Sequence, residues 1–192
     1  MSNGRTVRSQ AYFLAALILS IGGCSVEPGG LAPVARQQAD AARQRAWSLD
    51  AEGLSFHDRS APAKTVQIPL PGWVWVGPPR GCPPNLALGP RGEIVVTSDV
   101  LPTLWRVDPV TFEVSVHPLA LDADTDKDAG FSGLVYSSRH GAYFAVSHAL
   151  GSMWRIDPLL KTAHRISQSF DLERPCGPVG GRTTALISMR DL

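Results

Sequence analysis

The stretch "DADTDKDAG" at residues 122–130 places Asp122, Asp124, Asp126 and Asp128 at every second position. In an extended loop that alternation brings four carboxylates to one side, where like charges repel. A hard cation reverses the cost, and calcium, with roughly six to eight oxygen ligands in flexible geometry, is the one cofactor the sequence admits. A solvated acidic loop accounts for the same residues without a metal. The cysteines carry less chemistry: Cys24, Cys82 and Cys176 form no CxxC or CxxCH, so zinc, dithiol redox and haem attachment lack their spacing. His57, His117, His140 and His164 are scattered. Ser132 in "GFSGL" is followed by a strand pattern, whereas a nucleophile elbow needs a strand-to-helix turn. No P-loop and no dinucleotide fingerprint occurs.

The elements that position these residues repeat. "TLWRVDP" at 103–109 returns as "SMWRIDP" at 152–158, and "GEIVVTSD" at 92–99 aligns with "GAYFAVSH" at 141–148 at the same offset of 49 residues. Each unit reads as four short strands rich in β-branched and aromatic residues: 85–88, 93–97, 103–107 and 113–117, then 132–137, 142–147, 152–156 and 162–166. Trp105 and Val107 share one face of a strand, and Asp108-Pro109 closes it with turn chemistry that Asp157-Pro158 repeats. Repetition at equivalent places marks a shared packing task. In a four-strand meander successive turns alternate between the two ends, so one end collects Cys82, Asn85, Asp99, the 122–130 linker, His148 and Cys176. Asn85, Asp99 and His148 are the candidate ligand face.

Four-strand units of about 40 to 50 residues are the blades of β-propellers. "PPNLALGPRGEIVVTSDVLPTLWRVDPVT" resembles a blade of the bacterial six- or seven-bladed NHL and gluconolactonase-like (SMP-30) propellers, over residues 82 to 168. The resemblance implies a divalent metal at the propeller centre, with Asn85 in "PPN" at the place of an Asn ligand. The second repeat has Leu134 there, and no Glu and Asp partners match. The acidic loop resembles the first half of an EF-hand loop, with Lys127 in place of its glycine and Gly133 in place of its bidentate Glu. The expected fold is mainly β: a partial or open propeller-like stack of four-stranded antiparallel blades, two of them recognisable, with a short N-terminal helical tether.

Residues 1–23 read as a signal peptide: Arg5 and Arg8, then the apolar run "AYFLAALILSI", which at eleven residues is too short to span a bilayer. "IGGC" resembles the bacterial lipobox, which implies cleavage before Cys24 and lipid on its thiol. Ser25 in place of Asp implies the outer membrane, on the periplasmic side. In that oxidising compartment Cys82 and Cys176 are the expected disulfide. Residues 24–62 read as linker and tether, with "VARQQADAARQRAW" favouring helix and Ala35, Ala39, Ala42 and Ala46 at helical spacing. Residues 63–192 are the repeat domain.

Eighteen basic against seventeen acidic side chains give a charge of +1, which supplies no field for nucleic acid. Two blades leave apolar segments uncovered, "GWVWVG" at 72–77 and "TTALISM" at 183–189, and Trp73 and Trp75 could fold back as a cover or pack on a neighbour. The expected function is a binding or assembly module: an outer-membrane lipoprotein that self-associates or holds another envelope protein. The alternatives are a metal-dependent lactonase-like hydrolase and a passive envelope protein without a specific ligand.

Overall fold

The computed structural model describes residues 36–76, 82–122 and 130–167. They form three antiparallel four-strand meanders, mainly β as the sequence predicts, with one sheet more than the repeats alone reveal. The first contains β1 (Arg36–Asp40), β2 (Arg45–Asp50), β3 (Gly53–Asp58) and β4 (Ala61–Ile68). The second contains β5 (Leu86–Leu88), β6 (Ile94–Thr97), β7 (Thr103–Val107) and β8 (Val114–Pro118). After β9 (Ala120–Leu121) comes the third, β10 (Gly133–Ser137), β11 (Ala142–Ser147), β12 (Ser152–Ile156) and β13 (Thr162–Ser167). The short β9 joins the outer edge of the third sheet, parallel to β13. The leading strands pack side by side, β1 beside β5 and β5 beside β10, so the three sheets fan out like consecutive propeller blades.

Period-two alternation explains how the fan holds together. Ile94 and Val96, with Trp105 and Val107 across the ladder, face Trp47, Leu49, Leu54, Phe56 and Ile68 of the first sheet. Val95 and Leu104 point the opposite way, into a second core with Phe131, Leu134, Tyr143, Trp154 and Ile156. The repeated tryptophans therefore do the same job: each third-strand indole packs against the preceding sheet. Their polar edges are satisfied differently, Trp105 Nε1 donating to the Pro71 carbonyl at 2.8 Å and Trp154 Nε1 to Ser152 Oγ at 2.9 Å.

The expected N-terminal helix is absent from its described part. Residues 36–47 run through β1, a 3-10 turn at Ala41–Arg43 and into β2, and β4 crosses the tether boundary drawn at residue 62. Helix propensity differs among ordinary residues by only about 0.7 kcal/mol, whereas burying one large apolar side chain contributes about 1.5–3 kcal/mol. As strands, this segment buries Trp47 and Leu49 completely. The reversal is built locally: Asp40 accepts the Arg43 backbone N–H at 3.2 Å, and Gln44 takes a left-handed conformation with φ 53°. Ala39 and Ala46, read as members of a helical stripe, face each other across the ladder. Arg45 then clamps the first sheet to the second, with its guanidinium about 5 Å from the Phe56 and Phe112 rings and Nη1 donating to the Pro109 carbonyl at 2.7 Å.

The apolar segment at 72–76 folds back as a cover, one of the two arrangements expected for it. Leu70, Trp73 and Trp75 pack on the core between the first two sheets, and Trp73 Nε1 donates to the Thr97 carbonyl at 3.0 Å. The first sheet turns a small and polar face away from that core, with Gln37, Ser48, Ser55 and Gln67 in one cross-strand row and Ala39, Ala46, His57 and Thr65 in the next. The corresponding expectation for 183–189 lies outside the described residues.

Trp47 separates a structural sheet from a tether. Trp47→Ala should lower unfolding stability by about 3–5 kcal/mol in a urea titration, the range for truncating a buried tryptophan. A near-zero change would mean that the first sheet is not part of the cooperative unit.

Candidate functional site

One end of the fan gathers the entries to the leading strands and the loops between second and third strands. Asn85 is the link between two sheets there. Its backbone N–H donates to Thr97 Oγ1 at 2.8 Å, its Oδ1 accepts the Leu86 backbone N–H at 2.8 Å, and its Nδ2 donates to the Ser132 carbonyl at 3.4 Å. Ser132, just ahead of β10, is 5% exposed and its hydroxyl is hydrogen-bonded to His148 Nδ1. Gly130 is required beside them: a Cβ at this position would sit 1.9 Å from the Asp99 carbonyl carbon. One residue on, the Phe131 N–H donates to the Ser98 carbonyl at 2.6 Å. Three residues predicted from sequence, Asn85, Asp99 and His148, are thus drawn to one seam by the 130–132 segment.

The electrostatics of the seam are unusual for ordinary loops. Burial pushes the Asp99 carboxyl up to about 6, and its Oδ1 is buried without a hydrogen-bond partner among the described residues. Burial lowers the pKa of His148, and the positive charge of Arg36 acts in the same direction, so the ring is neutral at neutral pH. When Nδ1 accepts the Ser132 hydroxyl proton, Nε2 carries the ring N–H. Arg36, at the start of β1, has a buried Nε without a partner among the described residues, and burial lowers the pKa of its guanidinium. Ser147 Oγ, next to His148 in the chain, is fully buried and likewise unpaired among them. Arg36 was not legible as a site residue because it was read as part of a tether; its equivalence to Asn85 appears once both are seen to open a leading strand.

Among the described residues no carboxylate bonds to His148, so the Ser132–His148 pair lacks the third member of a triad. Nor, among them, do three His, Cys, Asp or Glu side chains converge as a metal cage. Of the four candidate calcium ligands, Asp122 accepts the Arg165 backbone N–H at 3.1 Å and lies 3.3 Å from His164 Nδ1, tying it to β13. The Arg165 N–H is the main cause of its lowered pKa. Asp124, Asp126 and Asp128 lie outside the described residues, as do Cys24 and Cys176. Cys82 is 7% exposed at the approach to β5. Two of the scattered histidines bond to nearby serines, His117 to Ser115 at 2.8 Å and His140 to Ser137 at 2.9 Å.

No family model and no curated protein matches this chain. Among solved structures, it is similar to a protein of unknown function from Bacteroides thetaiotaomicron, at 16% identity and TM-score 0.48 over 69% of this chain and 33% of that one. It is also similar to the extracellular domain of a proposed one-component system from B. thetaiotaomicron, at 13% identity and TM-score 0.47 over 65% of this chain and 16% of that one. A streptogramin B lyase overlaps at 17% identity and TM-score 0.42, over 67% of this chain and 35% of that one. This chain therefore spans about a third or less of each of those proteins. Overlaps this loose carry no argument about activity.

The half-buried Asp99 carboxyl has a measurable signature. Folding raises its pKa from 3.8 to about 6, so the folded chain holds the proton more tightly and stability falls as pH rises through that window. His148 slopes the other way, since its lowered pKa loses stability as pH drops below the unfolded value of about 6.5. The difference between Asp99→Asn and wild type isolates the carboxyl. The variant should melt higher than wild type at about pH 8, with the gain shrinking steadily toward about pH 4. A gain that does not change with pH in thermal denaturation would assign it to something other than the charge.

Proposed function

We propose that the chain is an outer-membrane-anchored periplasmic lipoprotein whose blade-like domain is a binding or assembly module. The observation that carries the binding part is the set of polar groups at the loop end that are buried and, among the described residues, unpaired: Arg36 Nε, Asp99 Oδ1 and Ser147 Oγ. A buried donor or acceptor without a partner costs about 1–3 kcal/mol, so three at one end of a fold are explained best by a ligand that satisfies them. Asn85, Ser132 and His148 hold the surrounding backbone in register, which preorganises the site.

The anchor rests on the apolar run ending in "IGGC". We also propose the Cys82–Cys176 disulfide, which fits the burial of Cys82, and which would contribute up to about 4 kcal/mol by closing a long loop. Calcium at Asp122, Asp124, Asp126 and Asp128 remains a proposal for the loop as a whole. The hydrolase alternative has weaker support, because the Asn85 amide is already engaged by Leu86 and Ser132.

Three experiments test the reading. Cys24→Ser should move the protein from the membrane fraction to the soluble periplasmic fraction, and a variant that still pellets removes the lipid anchor. Peptide mapping without reductant should yield a Cys82–Cys176 cross-linked peptide; two free thiols would end the disulfide. For the module itself, wild type captured from solubilised envelope should retain a ligand or partner that the Arg36→Ala, His148→Ala double variant loses while keeping its circular dichroism. An empty wild-type capture favours the passive protein, and metal-dependent lactone turnover favours the hydrolase.

A further inference from the structure

A concavity lined by none of the unpaired polar groups lies where the β2–β3 turn meets the segment after β4. It is an open cleft of about 480 Å³, within the range of roughly 300–1,000 Å³ usual for small-molecule sites. Its walls are Ile68, Pro69, Leu70 and Val74, with Trp73 and Trp75 forming a corner, their ring centroids 6.1 Å apart and their planes inclined at 62°. Among the described residues that line it Glu52 is the only charged side chain, with Ala51 and Gly53 on either side of it in the turn.

Local structure fixes each part. Gly53, at φ 119°, and the Glu52 N–H, donated to Asp50 Oδ1 at 3.0 Å, shape the turn that carries Glu52. Gly72, at φ 70°, and the Trp73 N–H, donated to the Leu70 carbonyl at 3.2 Å, shape the turn that presents the indoles. The bond from Trp73 Nε1 to the Thr97 carbonyl fixes that ring and uses its only donor. What the described lining offers a ligand is π surface, the Trp75 indole N–H, apolar wall and one carboxylate.

That combination selects a cation with an apolar coat. Indole faces attract positive charge, by about 0.5–2 kcal/mol for each well-placed contact, and alkylated ammonium groups are the ligands that aromatic corners recognise. Glu52 adds charge complementarity. A polyhydroxylated ligand would find few side-chain hydrogen-bonding partners here, and an anion would meet the carboxylate. We propose that the Trp73–Trp75–Glu52 corner is a binding site for an alkylated ammonium group. The site goes beyond the module reading, because it uses none of Arg36, Asp99, Ser147 or His148.

The test uses full-length protein in neutral detergent, titrated by calorimetry with choline and with 3,3-dimethylbutanol, its uncharged carbon isostere. Choline should bind and the isostere should bind at least about tenfold more weakly, because the walls are shared and only the charge differs. Trp75→Leu, which keeps apolar contact but removes the π face, should weaken choline about 3- to 30-fold. Glu52→Gln, at an exposed turn position, should weaken choline in the same direction without altering the melting temperature. Arg36→Ala should leave choline affinity unchanged while testing the other site. Equal binding of the isostere, no heat from choline at tens of millimolar, or a loss in Arg36→Ala as large as in Trp75→Leu would each overturn the assignment.

Discussion

Ile94, Val95 and Val96 are consecutive, all three are inaccessible to solvent, and their side chains alternate into two different cores. A strand can do this only if both faces of its sheet are covered, which the second sheet achieves by standing between two others. The rest of the domain follows from that constraint. Trp47, Leu49, Leu54 and Phe56 supply one cover, and Tyr143, Ala145, Trp154 and Ile156 the other. A four-stranded meander alone buries neither face, so each sheet depends on its neighbours, as in other repeat architectures.

The same side-by-side arrangement of β1, β5 and β10 creates the chemistry at the loop end. Leading strands that lie close together bring together the residues at or just ahead of their starts, Arg36, Asn85 and Ser132. Close approach leaves room only for glycine at position 130, and it draws Asp99 away from enough water to push its carboxyl up to about 6. Packing and site chemistry are therefore coupled: the burial that stabilises the blade stack also leaves Arg36 Nε, Asp99 Oδ1 and Ser147 Oγ without partners among the described residues. The Trp73–Trp75 corner shows the complementary case, in which side chains that close the end of a core leave ring surface toward a cavity.

Several structural features were visible one residue at a time. The strands at 103–107, 142–147 and 152–156 have the bounds expected from alternation and turn residues, and the others in the two repeats shift by a residue at one or both ends. The Asp-Pro turns work as their chemistry demands: Asp108 Oδ1 accepts the Val110 and Thr111 N–H groups, and Asp157 Oδ1 accepts that of Leu159. Asn85, Asp99 and His148 could be placed at one end because meander topology alone sends them there. The first sheet was hidden because it lacks the WRxDP motif and its Ala- and Gln-rich opening favours helix locally. The pattern "WSLDAEGLSF", with Trp47 and Leu49 alternating before a glycine turn and Leu54 and Phe56 after it, held the strand signal.

The division between the two levels has a physical basis. Alternation, turn chemistry and a 49-residue repeat are local properties, so the sequence by itself determined that the chain is β-rich, that two units share a plan, and which end of each carries polar residues. Burial and pairing are properties of neighbours distant in the chain. Only the tertiary structure decided that residues 36–68 form a sheet, since their weak helix preference yields to the contact of Trp47 and Leu49 with Ile94 and Val96. It alone also decided that Arg36 joins Asn85, Asp99 and His148, and that Trp73 and Trp75 turn inward onto a core, because desolvation and ring packing arise only once three sheets have closed on one another.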